Sequence, residues 1–413
     1  MPIKVLAIGD VGNVVRTLQK YSKKSKIRLI KYPIDGSATF TDPDNIETFK
    51  TWKVKEHVQK INEIKDDYDV CLTMSSERVA YLADLNYISY YVGGDIEAPR
   101  FKKNSKDSAA EGDDSVHSRN IFERKFYWNA FKNAIAHVAG VWQFTELEKY
   151  TKNGRRNARL PIDIEEFNPN IKPIERKKTK FTFFCPMRME KFKGTELLWQ
   201  ALKFCKSDFE ILSVEWFGER TREERDFKKR MLSEKPEQVK FIPIIKRSEI
   251  ARYYTFADAV IANLFFGVFE LVGLESVMCG TPVIQYTDKE KKINVNGTEL
   301  ESPFQPFSKD PKSIAKTIDN IVESKEFREK LLSQERDFVN EIANPIKFAE
   351  WWDNLFEKVF KEYGTIRKNS SPFKVKLRMI GFLLGNRMYA FKIMNFVLRR
   401  QHKYEGQTLY NSS

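Results

Sequence analysis

Apolar and polar positions along this chain keep two successive rhythms of the same kind. In each, short apolar runs alternate with stretches of helical spacing, the pattern of a parallel sheet flanked by helices. The first series predicts strands over Ile3–Ile8, Ile27–Tyr32, Asp69–Met74, Tyr87–Val92 and Gly140–Phe144. Helices are predicted from Val14 to Tyr21, around Phe49 to Ile64 and from Arg124 to His137, with a polar loop from Phe101 to Ser118. The second series predicts strands over Lys180–Cys185, Phe209–Val214, Val239–Ile242, Ala259–Ala262 and Pro282–Tyr286. Between them, Asn168–Pro169–Asn170–Ile171–Lys172–Pro173 and the charges that follow read as a linker. Pro345 to Tyr363 spaces its aromatics on one helical face and is expected to pack back across both domains. The expectation is two Rossmann-like domains, 1–170 and 175–344, facing across a cleft, with a crossover helix 345–363 and an appended tail 366–413.

Composition, 41% hydrophobic and 31% charged, is that of a folded globular chain. No apolar run is long enough to span a bilayer, and the N-terminus reads as a first buried strand rather than a signal peptide. Cys71, Cys185, Cys205 and Cys279 lack CxxC spacing and are expected to be reduced and structural; with the four histidines they form no metal-ligand pattern. A cytoplasmic protein without a bound metal is expected. The net charge of +14 is concentrated: residues 366–413 hold ten Lys/Arg and one acid, Glu405, leaving +5 for the rest. That distribution gives nucleic-acid binding little support.

Two segments carry candidate chemistry. Pro186–Met187–Arg188–Met189–Glu190–Lys191–Phe192–Lys193–Gly194 links a strand to a helix, and its fork and point charge suit a departing diphosphate, whose negative charge grows as a bond to it breaks. Phe265–Phe266–Gly267–Val268–Phe269–Glu270 leads into a helix predicted from about Gly273 to Cys279. That places Glu275 in the first turn, where a carboxylate can accept from a ribose diol. Gly280 reads as a left-handed stop. Taken singly, each segment is better read as a solvated turn or a helix-start acid.

Together they resemble the group 1 family of GT-B glycosyltransferases, with its R…KG phosphate motif and its E-x7-E segment closing in L-E-A-x-A-C-G-x-P-V-I. Arg159–Leu160–Pro161–Ile162–Asp163 and Phe167–Asn168–Pro169 are similar to the family's interdomain junction, and Tyr253–Tyr254–Thr255–Phe256–Ala257–Asp258 to its YY..AD segment. The resemblance implies a hexosyltransferase of GT-B fold, retaining, taking a nucleotide-diphosphate sugar, with a glycan, lipid or lipid-linked acceptor and no metal. It assigns Arg188 and Lys193 to the diphosphate and Glu275 to the ribose. Gly9 and Gly12 fall to the donor-side turn after the first strand, and Asn13 and Asp95 to the acceptor side. Two positions depart from the family. Gly267 stands where its first glutamate contacts the sugar, so the substitute is Glu270 or a backbone N–H. Val92 replaces the histidine of an H-G-x-D turn, so no general base is assigned and His117 is the one histidine offered.

The same cleft could serve a nucleotide-sugar 2-epimerase or a donor-binding protein without turnover; product analysis would separate the first, and donor binding without transfer the second. Asp67–Tyr68–Asp69 spells a metal-binding D-x-D, but its place directly before a strand makes it a strand-entry turn. In the tail, Phe373, Leu377, Ile380, Leu384, Met388, Phe391 and Phe396 interleave with basic residues as one or two basic amphipathic helices, broken at Gly385–Asn386. That make-up suits an anionic inner membrane face; its alternative is a helix packed on the protein.

Overall fold

The computed structural model describes residues 1–33, 46–97, 99–102, 121–219, 221–288, 290, 293–295, 298–304 and 307–385. It divides into two compact units. The first takes the described residues up to Ala158 together with those from Ile346 on; the second runs from Arg159 to Pro345.

The first unit is built on six parallel strands: β1 (Ile3–Ile8), β2 (Ser25–Ile30), β3 (Val70–Met74), β4 (Tyr87–Tyr91), β5 (Ala136–Ala139) and β6 (Gly154–Arg156). Their order is β2-β1-β3-β4-β5-β6, with Val5 opposite Ile27 on one side and Val70 on the other. Mostly apolar, almost wholly buried runs form β1, β3 and β4 because helices cover both faces of a parallel sheet. The predicted strand Gly140–Phe144 is instead the start of the helix Val141–Glu148; β5 lies just before it, in buried Ala136–His137–Val138–Ala139. The helix predicted over Arg124–His137 therefore runs from Ile121 to Asn133. Asp69, at the entry to β3, accepts the Lys4 amide at 2.8 Å. His117 and the polar loop around it lie outside the described residues.

The helix Pro345–Tyr363 belongs to this unit. Phe348, Trp352 and Phe356 are fully buried, with Trp352 edge-on to Tyr90 at 5.1 Å. Asp353 beside them accepts the Lys23 and Lys24 amides, both at 3.0 Å, and Ser25 Oγ at 2.7 Å, closing the turn into β2.

The tail is not an appendage throughout. Ile366 is core, its carbonyl accepting the Asn86 amide at 2.7 Å. The helix Pro372–Gly385 packs along Ile121–Asn133 through Phe382 and Phe126, rings 5.3 Å apart. Arg378 donates to Asp84 at 2.7 Å and to the Tyr81 carbonyl at 2.8 Å. This helix is apolar on two sides. Met379 and Phe382 face the unit, while Phe373, Leu377 and Ile380 are exposed. Met388, Phe391 and Phe396 lie outside the described residues.

The second unit has five parallel strands in the order β11-β10-β7-β8-β9: β7 (Phe181–Cys185), β8 (Phe209–Val214), β9 (Val239–Ile242), β10 (Ala259–Ile261) and β11 (Val283–Ile284). The chain moves outward from β7 to β9, then returns to the other side of β7. Strand order therefore reverses between β7 and β10, the place where such sheets open a crevice at their carboxyl ends. The unit begins before the stretch that composition marks as a linker, because Leu160 and Ile162 donate to the Ile342 and Ala343 carbonyls, both at 3.0 Å.

Candidate active site

The loop after β7 holds Arg188 and Lys193. Buried Met187 and Met189 pin it, Met189 by a bridge to Phe217. It ends in a single turn, Lys191–Lys193, and Gly194 at φ +82°. A Cβ on Gly194 would sit 2.8 Å from Leu264 Cβ, so glycine is what allows the loop after β10 to come in close. The Leu264 amide then donates to the Lys193 carbonyl at 3.2 Å. Two loops from either side of the reversal point are thus tied together.

On this frame Lys193 Nζ donates to Glu270 Oε1 at 2.6 Å, and Asn263 Nδ2 donates to the same oxygen at 2.9 Å. Asn263 is fully buried and held by the Phe265 and Phe266 amides, at 2.8 and 3.0 Å. Arg188 pairs with Glu190 and lies 5.4 Å over the Trp216 ring, its side chain still 38% exposed. Two ion pairs, Arg188–Glu190 and Lys193–Glu270, therefore lie at the carboxyl edge of β7 and β10.

Glu275 is placed differently from expectation. The helix begins at Leu271, so Glu275 lies in its second turn, 2% exposed. One carboxylate oxygen accepts from Arg247 Nη1 at 2.6 Å and the other from Tyr254 Oη at 3.0 Å. Arg247 in turn rests 4.4 Å over the Phe167 ring. A carboxylate has about four lone-pair directions, so Glu275 keeps acceptor capacity beyond these two bonds. Gly280, at φ +85°, ends this segment in the left-handed region as expected. Gly267 has φ +73°, and a Cβ there would meet Asp288 Cβ at 2.9 Å and the Tyr286 ring at 3.0 Å. No carboxylate fits at that position.

In the first unit, Gly9 (φ +82°), Gly12 (φ +64°) and Asn13 (φ +60°) form the turn after β1. A Cβ on Gly9 would lie 2.2 Å from the Met74 carbonyl oxygen. Asp10 accepts the Val15 amide at 2.9 Å, fixing the start of the next helix. Asp95 follows β4 and accepts from the Gly93 amide at 3.1 Å and Ser75 Oγ at 3.3 Å. Burial, and then the charge of Glu77, push its pKa up to about 8.

Residues 166–338 match the family of glycosyl transferases group 1. Those residues, most of the second unit, carry a domain of that family. As a glycosyltransferase it is an enzyme, and its two Rossmann-like units are those of the GT-B fold. Sucrose-phosphate synthase from Thermosynechococcus elongatus is similar over 87% of this chain and all of its own, at 16% identity and a TM-score of 0.64. Anabaena HepE, solved in complex with UDP and glucose, is 14% identical over 86% of this chain and all of its own, with a TM-score of 0.59. A glycosyltransferase from Rickettsia africae is 18% identical over 87% of this chain and 99% of its own, with a TM-score of 0.56. No curated protein matches.

Sequence reasoning on this glycosyltransferase missed Arg247 and Asn263. Arg247 reaches Glu275 across 28 residues, and only a buried carboxylate's need for a counter-charge hints at it. Asn263 closes β10 and carries no pattern of its own, yet it fixes Glu270.

Proposed function

We propose that this enzyme transfers a hexose-type sugar from a nucleotide-diphosphate donor to a glycan, lipid or lipid-linked acceptor, with retention. The observation that carries the reading is the tie of the Arg188–Lys193 loop to the loop after β10 at the reversal point of the second sheet. HepE, of the same fold, binds UDP and glucose, which favours a uridine diphosphate sugar as donor. Arg188 and Lys193 take the diphosphate, and their attraction strengthens as the bond to the sugar breaks. Lys193 moves from Glu270 toward phosphate oxygen as that charge develops. Glu270, standing in for a carboxylate that Gly267 excludes, faces the sugar. Glu275, oriented by Arg247 and Tyr254, accepts from the ribose. A phosphate oxygen of the leaving group takes the acceptor proton, so transfer needs no separate base. Lys and Arg supply the positive charge, so no metal or cofactor enters.

Gly9 and Gly12 are assigned to donor binding, and Asn13 and Asp95 to the acceptor. The protein is cytoplasmic and peripheral on the inner membrane face. The outer apolar side of Pro372–Gly385, with Lys374 and Lys376 exposed beside it, supports that placement. A panel of nucleotide sugars, each followed for nucleotide release with and without acceptor extract, tests the reaction. Acceptor-dependent release from one donor, lost in Arg188→Ala and Lys193→Ala, is the expected result. Release of nucleotide from none of them by well-folded protein would overturn it.

A further inference from the structure

Among the described residues two arginines of the first unit make no ion pair within 4 Å, and both belong to the carboxyl edge of its sheet. Arg78 follows β3, and its guanidinium carbon lies 5.3 Å over the ring of Tyr32, which follows β2. Arg100, beyond β4, lies 5.2 Å over the Tyr127 ring and donates from Nη1 to Tyr127 Oη at 2.8 Å. Both guanidiniums act on that one phenol. Burial alone would raise the Tyr127 pKa, but the charges of Arg100 and Arg78 hold it below its ordinary value. Among the described residues neither arginine makes an ion pair. Arg78 Nε, Tyr32 Oη and Glu77 Oε1 are buried atoms with no hydrogen-bond partner among the described residues. Glu77 and Glu123 are the carboxylates nearby, and burial pushes the Glu77 pKa up, toward the neutral acid.

Buried polar atoms left unpaired at the edge where such sheets bind ligands call for a ligand that pairs them. We propose that Arg78, Arg100, Tyr32 and Tyr127 bind a phosphoryl group carried by the acceptor. Two guanidinium forks and two phenols offer donors to three terminal oxygens and meet a double negative charge. The proposal rests on the transferase reading and names the acceptor class: a sugar phosphate, or a sugar joined to a lipid through phosphate.

The test titrates the full-length protein calorimetrically with inorganic phosphate, a hexose 6-phosphate, the parent hexose, and a polyisoprenyl monophosphate in neutral micelles. Phosphate-bearing ligands should bind and the parent hexose should not. The soluble ligand alone would indicate a free sugar phosphate, and the micellar one alone a lipid-linked acceptor. Arg78→Ala and Arg100→Ala should each weaken binding by about tenfold or more, and Arg78→Lys should restore part of it. Bound phosphate should also move the Tyr127 phenol titration upward. Uridine diphosphate affinity, governed by the second unit, should not change, which separates failure here from failure of the donor reading. Should Arg78→Ala not fold, Arg100→Ala and Tyr32→Phe decide. A folded wild-type protein that binds no phosphate ligand, or an Arg100→Ala protein that binds as tightly as wild type, would overturn the proposal.

Discussion

At the scale of single residues, Glu275 is asked to do two things. Its pairing with Arg247 is almost wholly buried, and removing one partner of such a pair costs about 3–5 kcal/mol because the other charge is stranded. Glu275→Ala should therefore lower unfolding stability as well as donor affinity, where loss of a ribose contact alone would cost only about 1–3 kcal/mol of binding. Urea melts beside nucleotide titrations check this; a variant of unchanged stability would contradict the pairing, and unchanged donor affinity would remove Glu275 from the site. Lys193→Ala should act on turnover more than on affinity, by about 2–4 kcal/mol in the barrier. Glu270→Gln should lower kcat while leaving affinity for the sugar-free nucleotide diphosphate as it was, and wild-type kcat in that variant would exclude Glu270 from the sugar. Asp95 carries a pH signature. Its folded pKa, about 8, lies above its unfolded value. Its contribution to stability is thus complete below about pH 4 and is lost as pH rises through 8. Asp95→Asn should gain stability relative to wild type as pH is raised across that window, and a constant difference would show that Asp95 is not protonated in the fold.

Elements explain why some of this was legible and some was not. Strands β1, β3, β7 and β8 could be read from sequence because nearly every position is buried and their runs are mostly apolar. Short β5 was displaced by a few residues, since Ala and His carry no strand signal and Val141–Trp142 does. The polar three residues of β6 gave no alternation at all. The Arg188–Lys193 loop was legible because glycine and basic residues sit at fixed spacing after a strand. The loop after β10 was not, because what matters there is contact: Gly194 against Leu264, and Gly267 beneath Asp288. That second contact makes a prediction. Gly267→Glu restores the residue the family carries, yet the backbone at φ +73° disfavours any side chain by about 1–2 kcal/mol, before the clash with Asp288. The variant should melt lower than wild type and gain no turnover; a faster enzyme would show that the loop can open to admit the carboxylate.

At the scale of the molecule, the decisive fact is where the charge lies and what backs it. Residues 366–413 hold +9 of the +14, and their first part is fastened to a folded unit. A helix apolar on two sides with one side already packed presents the other outward, and a surface stripe of this kind beside basic residues marks a contact site. Among the described residues no helix is long and apolar enough to cross a membrane. If the proposed membrane placement holds, the outer stripe lies in the plane of an anionic surface, each nearby basic residue contributing about 1 kcal/mol. The fastening decides how to test it. Removing residues 366–413 would strip Ile366 and the Arg378–Asp84 pair from the first unit, so lost binding there would report damage to the fold. Two gentler changes are the informative ones: removal of residues 386–413, which carry half of the tail's ten basic residues, and the triple variant Phe373→Glu, Leu377→Glu, Ile380→Glu. Both should sediment less with phosphatidylglycerol vesicles at low salt than the full chain, which should ignore phosphatidylcholine. Both should keep wild-type melting temperature and nucleotide release in solution. A full-length protein indifferent to anionic vesicles at low salt would refute the membrane reading, whatever the fate of the transferase reaction.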